Sequence, residues 1–153
     1  MITFGRGKRR KLICSLLLTI WCASASAQDA AIGYIKSTDG ISTVTRGHTT
    51  YAAALGLALY EGDTLRTFWN GRLGVTFKDD TRISLGPSSS VTIPRFVFSP
   101  AEQRYGFVLR LFFGTLQYLS GLTAKLAPDA MKIETPTATI GVRGTRFLAR
   151  AEP

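Results

Sequence analysis

The sequence predicts an all-β domain behind an export signal. Beyond Ala27, short apolar and β-branched runs are separated by turn residues at intervals of roughly 8 to 12 residues, the spacing of an all-β domain. Leu73, Val75 and Phe77 alternate with Arg72, Gly74 and Thr76, as in a strand with one buried and one solvated face. Helical periodicity is weak outside residues 51–60. The fold class is therefore all-β.

The N-terminus has the three parts of a secretory signal peptide. A basic segment at 6–11 precedes an apolar run from Leu12 to Ala23, and Ala25-Ser26-Ala27 supplies small residues for cleavage. A retained anchor is disfavoured, because the run is well short of the roughly 20 apolar residues that span a bilayer. The prediction is a signal peptide at 1–27, a domain at 28–153 and no membrane span after cleavage. A periplasmic location follows, with secretion or the cell surface as alternatives.

Removing this segment changes the charge and the cysteine count. The whole chain carries +9, but fourteen Lys and Arg and all 10 Asp and Glu lie beyond Ala27, which leaves +4. A net positive charge as small as this argues against nucleic acid as a partner. Cys14 and Cys22 both lie in the signal, so the predicted domain has no disulfide, thiol nucleophile or cysteine metal site.

Two hairpins are predicted in the first half of the domain. Runs at 32–36 and 41–46 flank a turn at 37–40 that ends in glycine. The clearer hairpin spans 72–85 around Asp79-Asp80, with inward residues alternating on both sides of the turn. Residues 51–60 fit a short helix or an irregular extended segment equally well.

Three further runs are strand-like. Val91 and Ile93 begin a short strand before Pro94, and Phe96 to Phe98 form another run before a loop. Apolar density rises from 105 to 119, which predicts either one strand buried on both faces or a pair joined at Gly114.

The stretch TPTATIGVRGTRF, residues 135–147, alternates like a strand but contains two glycines and an internal arginine. Ala138, Ile140 and Val142 share one parity, whereas Phe147 and Ala149 fall on the other. A bulge at Gly144 would absorb the extra residue. Gly141 would then admit a close neighbour, and an outward Arg143 would donate to carbonyls of an adjacent strand.

Four segments together resemble the FecR-type periplasmic domain family, over residues 59–149. They are a Gly-Asp segment at 59–67, a strand–turn–strand at 71–85, an L-x-x-x-x-G-x-L segment at 109–116 and a T-P-x-A…V-R-G-T-x-F signature at 135–147. The residues that carry the resemblance are Gly62, Asp63, Asp79, Asp80, Gly114, Pro136, Gly141, Arg143, Gly144, Thr145 and Phe147.

The resemblance implies a compact domain of short stacked strands, solenoid-like or sandwich-like, outside the inner membrane of a Gram-negative bacterium. The sequence departs from the family at Asp80, which replaces the usual turn glycine; aspartate tolerates the left-handed conformation better than most residues. Family members usually continue with a further hairpin after G-T-x-F, so we expect that hairpin to be missing and an edge to be open. The sigma-factor regulation of the best-known members is not carried over, because their cytoplasmic and C-terminal parts have no counterpart.

No motif indicates catalysis, a metal or a cofactor. His48 is the only histidine and is interpreted as a solvated turn residue. Asp79-Asp80 lack the alternating acidic pattern of a calcium loop, and Ser88 to Ser90 lack the G-x-S-x-G elbow of a hydrolase. The chain is predicted not to be an enzyme.

Two binding functions are compatible with these residues. The first is recognition of an envelope protein through an exposed sheet edge, by main-chain hydrogen bonds with a partner strand. The alternative is binding of an anionic cell-wall polysaccharide through strand arginines, for which Arg66, Arg72 and Arg82 are the candidates. Outward arginines also serve simply to keep a sheet soluble.

Overall fold

The structure is a computed structural model, and it describes residues 30–142 and 146–152. This part of the chain is built from strands, with one short α-helix and two single-turn 3₁₀ helices at Pro100–Glu102 and Pro128–Ala130. The elements are β1 (Gly33–Asp39), β2 (Ser42–Arg46), β3 (Thr49–Ala52), β4 (Ala58–Leu59), β5 (Thr64–Thr67), β6 (Arg72–Phe77), β7 (Arg82–Leu85), β8 (Ser90–Ser99), β9 (Arg104–Leu119), α1 (Leu122–Leu126), β10 (Met131–Glu134), β11 (Thr139–Gly141) and β12 (Arg146–Ala151).

The strands form one curled sheet with two halves that share β9. Half A has the order β4-β1-β6-β7-β9-β12, and half B has the order β3-β2-β5-β8-β9-β10-β11. The first part of β9 pairs with β8 and β10, whereas its last six residues pair with β7 and β12. All pairings are antiparallel except β9 with β10, which is parallel. β9 can serve both halves because it is 16 residues long.

The core lies inside the curl, between the inward faces of the two halves. Phe77 of half A meets Phe107 of half B with ring centroids 4.7 Å apart, and Phe96 meets Phe107 at 4.8 Å. Both contacts are edge-to-face, the arrangement that aromatic quadrupoles favour. The prediction of an all-β domain is confirmed, in the form of a curled, half-barrel sheet around one core.

The hairpin predicted at 72–85 is confirmed, but the one predicted at 32–46 is wrong. β6 and β7 pair as expected, with Val75 opposite Ile83. The turn at Gly40 exists, with a φ of 64°, yet β1 pairs with β4 and β6 while β2 pairs with β3 and β5. The chain crosses between the halves there, since a turn residue fixes a change of direction and not the strands that pair.

Three other expectations are resolved. Residues 51–60 are extended, so the helical alternative is wrong. β9 is a single strand through Gly114 and not a pair. The two runs around Pro94 belong to the one strand β8, whose register shifts between Thr92 and Arg95, where a proline without an N–H is tolerated.

The C-terminal stretch differs from its predicted arrangement. Val142 is buried as expected, but Ile140 and the rest of β11 are exposed, because β11 pairs only with β10 in the described chain. Among the described residues, a side chain at Gly141 would meet nothing within 4 Å, so this part of the chain does not contain the close neighbour expected at Gly141. Arg143, Gly144 and Thr145 lie outside the described residues, as does the predicted signal at 1–27. Among the described residues, no helix has the length and apolarity needed to cross a bilayer.

Candidate functional site

β12 is an edge strand with one packed face. Within the described residues it pairs only with β9, from Arg146 opposite Leu119 to Ala151 opposite Gly114. Ala149 and Ala151 are buried, and the Phe147 ring stacks on Tyr118 at 5.0 Å. Arg146 and Arg150 are exposed, and Leu148 exposes 68% of its surface. The inward side chains thus hold the strand while its second edge stays unpaired in this part of the chain.

A shallow groove runs across the outer face of half A beside this edge. Its floor is a row of residues that are register partners across five successive strands. The row consists of Ser37, Gly74, Ser84, Gln117 and Leu148. The groove encloses about 450 Å³, and its small and polar floor gives hydroxyl and amide groups but no carboxylate.

Four arginines lie along the groove. Arg82 and Arg146 line an adjoining depression on one side, which shares Ser84 and Gln117 with the groove. The Gln117 amide oxygen accepts from Arg146 Nε at 2.9 Å. Arg72 lines the other side near Thr115, which stands opposite Arg150 in the register. Neither Arg72 nor Arg82 forms an ion pair within the described residues. Arg150 lies 4.0 Å from Glu152, and Asp39 stands opposite Arg72 in the register, so the face carries a net positive charge that is partly compensated.

Two of the three predicted binding arginines share the outer face of half A but lie at opposite ends of the β6–β7 hairpin, since Arg82 pairs with Thr76, four residues along β6 from Arg72. Arg66 does not line the groove and lies on half B, where its guanidinium carbon is 5.3 Å from the Phe68 ring centroid and 5.9 Å from that of Phe113. Sequence reasoning did not select Arg146 and Arg150. Their alternation with Leu148 indicates a common face, but only the pairing of β12 with β9 places that face beside Arg82.

The Gly-Asp segment forms a buried corner and not a binding site. Asp63 is fully buried and accepts from Arg46 Nε at 2.9 Å, from Arg46 Nη2 at 2.8 Å and from the Tyr60 amide at 2.9 Å. The hydrogen bond to Asp63 raises the pKa of Arg46, although burial opposes it. Arg46 also lies over the Tyr60 ring at 4.1 Å, and Gly62 has a φ of 86°. This corner ties β2 to the segment before β5.

Asp79 forms a second buried corner. Its carboxylate accepts from the Thr81 hydroxyl at 2.8 Å, the Thr81 amide at 3.1 Å and the Thr123 amide at 3.4 Å. Its carbonyl oxygen accepts from the Leu122 amide at 2.6 Å. Asp80 beside it has a φ of 63°, so it takes the left-handed conformation expected of a turn glycine. The β6–β7 turn thereby anchors the start of α1.

Tyr118 is the buried residue whose ring stacks on Phe147. Burial raises the pKa of Tyr118 to about 12, an effect that the charge of Asp79 reinforces and the Thr81 hydroxyl opposes. No hydrogen bond of normal geometry joins the Tyr118 hydroxyl to another described residue. The ring acts as packing for β12 and not as an acid.

The remaining motif residues are also structural. Pro136 lies in the β10–β11 turn, which closes with a hydrogen bond of 2.8 Å from the Thr135 amide to the Ala138 carbonyl. Gly114 has a φ of 92° and lies against Ser89. His48 occupies the exposed β2–β3 turn. Across residues 30–142 and 146–152, no three His, Cys, Asp or Glu side chains group in a way that could hold a metal.

A comparison with protein-family models assigns the chain to a family. The family model described as FecR protein matches residues 63–153. The chain belongs to the FecR family. The resemblance read from the Gly-Asp, Asp79-Asp80, Gly114 and C-terminal segments is thereby confirmed. No curated protein and no solved structure matches the chain significantly.

FecR membership gives a coarse functional class. The family is a non-enzymatic signalling and regulatory family, and membership is consistent with an envelope-associated regulatory or interaction module. The FecR match extends from the Asp63 corner through both halves of β9 to β12, so it includes the edge strand and most of the arginine-lined groove.

Proposed function

We propose that this FecR protein is a non-enzymatic interaction module of the cell envelope, exported to the periplasm, that recognises a protein partner through the free edge of β12. A partner strand adds beside β12 and forms main-chain hydrogen bonds along it. The observation that carries this proposal is a six-residue strand that packs its inward side chains against the core, Ala149 and Ala151 buried and Phe147 partly buried, with one edge unpaired in the described chain.

The other sheet edges are less suitable for pairing with a partner strand. β4 has two residues and β11 has three, too few for a specific ladder. β3 has four residues, all exposed, and among the described strands it pairs only with β2. A partner strand on β12 extends half A, and its outward side chains lie next to Leu148 and the arginines. The main-chain hydrogen bonds that give affinity and the side-chain contacts that give specificity therefore lie at the same sheet edge.

Photo-cross-linking tests the edge directly. A benzoylphenylalanine placed at Leu148 is expected to give one discrete adduct in the exporting cell, because a paired strand brings partner atoms within contact distance. The matched control is Leu55, which is equally exposed at 71% but lies in the β3–β4 connection. Ala149→Pro should abolish the adduct at position 148, since proline disrupts the ladder. Equal adducts at 148 and 55 would contradict the proposal.

The groove arginines favour a second candidate, binding of an anionic cell-wall polysaccharide. Arg72 and Arg82 carry charge without ion pairs in the described residues, and Arg146 and Arg150 share their face. The groove floor adds hydroxyls from Ser37 and Ser84 for hydrogen bonds to sugar. Guanidinium groups match carboxylates in a bidentate manner, which suits a polymer that carries them.

Charge reversal separates this candidate from edge pairing. We expect Arg72→Glu with Arg82→Glu to reduce retention on peptidoglycan at low salt by at least tenfold, because two attractions become repulsions. Arg66→Glu with Arg104→Glu makes the same charge change away from the groove and should retain most of the binding. Retention is measured by co-sedimentation. Equal retention of both double variants and the unmodified protein would remove the polysaccharide candidate and leave the cross-link at Leu148 as an independent test.

A further inference from the structure

Three connections meet at one end of the curl and form a single exposed tip. The Phe68 amide donates to the Ile41 carbonyl at 3.0 Å, and the Ile41 amide donates to Asn70 Oδ1 at 3.3 Å. The Ser88 amide donates to the Phe68 carbonyl at 2.9 Å. These bonds join the β1–β2, β5–β6 and β7–β8 connections. We call Ile41, Phe68 and Trp69 the loop tip.

The loop tip presents apolar side chains to solvent. Trp69 exposes 77% of its surface, Ile41 54% and Phe68 37%. The backbone beneath them is fixed, because the Gly71 amide closes the turn on the Phe68 carbonyl at 2.9 Å and a Cβ at Gly40 would collide with the Asn70 carbonyl. A rigid turn that holds three large apolar groups outward is poorly explained by fold stability, since none of them is buried in the core.

Cations flank the loop tip. Arg66 lies over the Phe68 ring, and Arg72 follows Trp69 by three residues. Asp39 stands opposite Arg72 in the register of β1 and β6, but the two form no ion pair in the described chain. Tryptophan and phenylalanine with neighbouring arginines is the composition found at membrane–water interfaces, where rings lie at headgroup depth and guanidinium groups reach phosphates.

We propose that the loop tip inserts into the interface of a phospholipid bilayer that contains anionic headgroups. The three side chains are exposed on connections that hydrogen bonds hold together, so one flat, deformable surface can cover Ile41, Phe68 and Trp69 at once. Arg66 and Arg72 then face the lipid phosphates, which complements their charge. The tip and β12 are separate residue sets, so membrane contact and partner pairing are independent properties of the domain.

The chain provides its own reporter. It contains two tryptophans, Trp21 and Trp69, so the full chain carrying Trp21→Phe reports only on the tip. We expect its emission to shift to shorter wavelength when vesicles of phosphatidylglycerol and phosphatidylcholine are added, and to be quenched by lipids with a spin label near the headgroup. Vesicles of phosphatidylcholine alone should give a much smaller shift, because the arginines then lack anionic lipid.

Matched variants in this background test the tip. Ile41→Asp should weaken binding to the anionic vesicles about tenfold, because it removes apolar contact and adds a negative charge. Leu126→Asp makes an equivalent change at the C-terminal end of α1, where Leu126 is 55% exposed, and should leave binding unchanged. Arg72→Gln should cost about fivefold, whereas Arg104→Gln, at the far end of the β8–β9 hairpin, should cost little.

Three results would overturn the proposal. The first is an emission spectrum that anionic vesicles leave unchanged. The second is equal weakening by Ile41→Asp and Leu126→Asp, which would place the membrane contact elsewhere in the chain, for instance in residues 1–27. The third is a shift produced by peptidoglycan fragments or by protein concentration alone and not by vesicles, which would assign the tip to a glycan or to a second copy.

Discussion

Asp63→Ala is expected to lower the free energy of unfolding by about 3 kcal/mol. The fully buried carboxylate accepts two hydrogen bonds from Arg46 and one from the Tyr60 amide, and alanine leaves all three donors without this acceptor. The loss belongs at the lower end of the range for broken buried pairs, because Arg46 is partly exposed and water can solvate it. Urea unfolding followed by far-UV circular dichroism measures the change.

Two comparison variants make this result specific. Asp63→Asn keeps an acceptor for the Tyr60 amide but loses the charge, so its loss should be smaller than that of Asp63→Ala. Glu102→Ala breaks the exposed Glu102–Arg104 pair and should change stability by less than about 0.5 kcal/mol. If Asp63→Ala were as mild as Glu102→Ala, the buried corner would not be the structural feature described above.

Gly114→Ala is expected to destabilise the domain by about 3 kcal/mol or more. Its φ of 92° already strains an L-residue, and a Cβ would collide with the Ser89 Cα and hydroxyl at the point where β9 passes from one half to the other. The collision involves backbone, so the neighbour cannot rotate away. Thermal unfolding with the same spectroscopic signal would show the loss as a lower melting temperature.

Gly56→Ala is the matched control for Gly114→Ala. Gly56 has a φ of 81°, close to that of Gly114, but a Cβ there would meet no atom of the described residues within 4 Å. The change should therefore cost only the conformational strain of about 1 kcal/mol. Equal losses at the two glycines would show that the contact with Ser89 contributes nothing and that conformation alone explains both.

Local features were predictable from the sequence. The β6–β7 hairpin followed from alternation on both sides of Asp79-Asp80, because a period of two residues fixes which side chains face inward. The family motifs were also visible, since the Gly-Asp and Asp-Asp segments occupy tight backbone corners in which few residue types fit. Such constraints involve residues that are close together in the chain, so the residue types at those positions reveal them.

Pairing between distant segments was not predictable. The alternation of β1 and β2 is equally consistent with a hairpin, and only the curl of the whole sheet assigns them to opposite halves. For the same reason the sequence could not separate Arg66 from Arg72 and Arg82, or select Arg46 as the partner of Asp63. These relations depend on strand order, which one-dimensional periodicity does not encode.

The sharing of β9 makes the domain indivisible. Neither half keeps its strand order if β9 is removed, and the segment before Asp63 supplies the neighbours of β5 and β6. We therefore expect amide exchange to report one cooperative unit, with the slowest amides on both sides of Gly114. If a bound partner pulled on β12, the force would pass to β9, which belongs to both halves. The two halves would then unfold together and not one after the other.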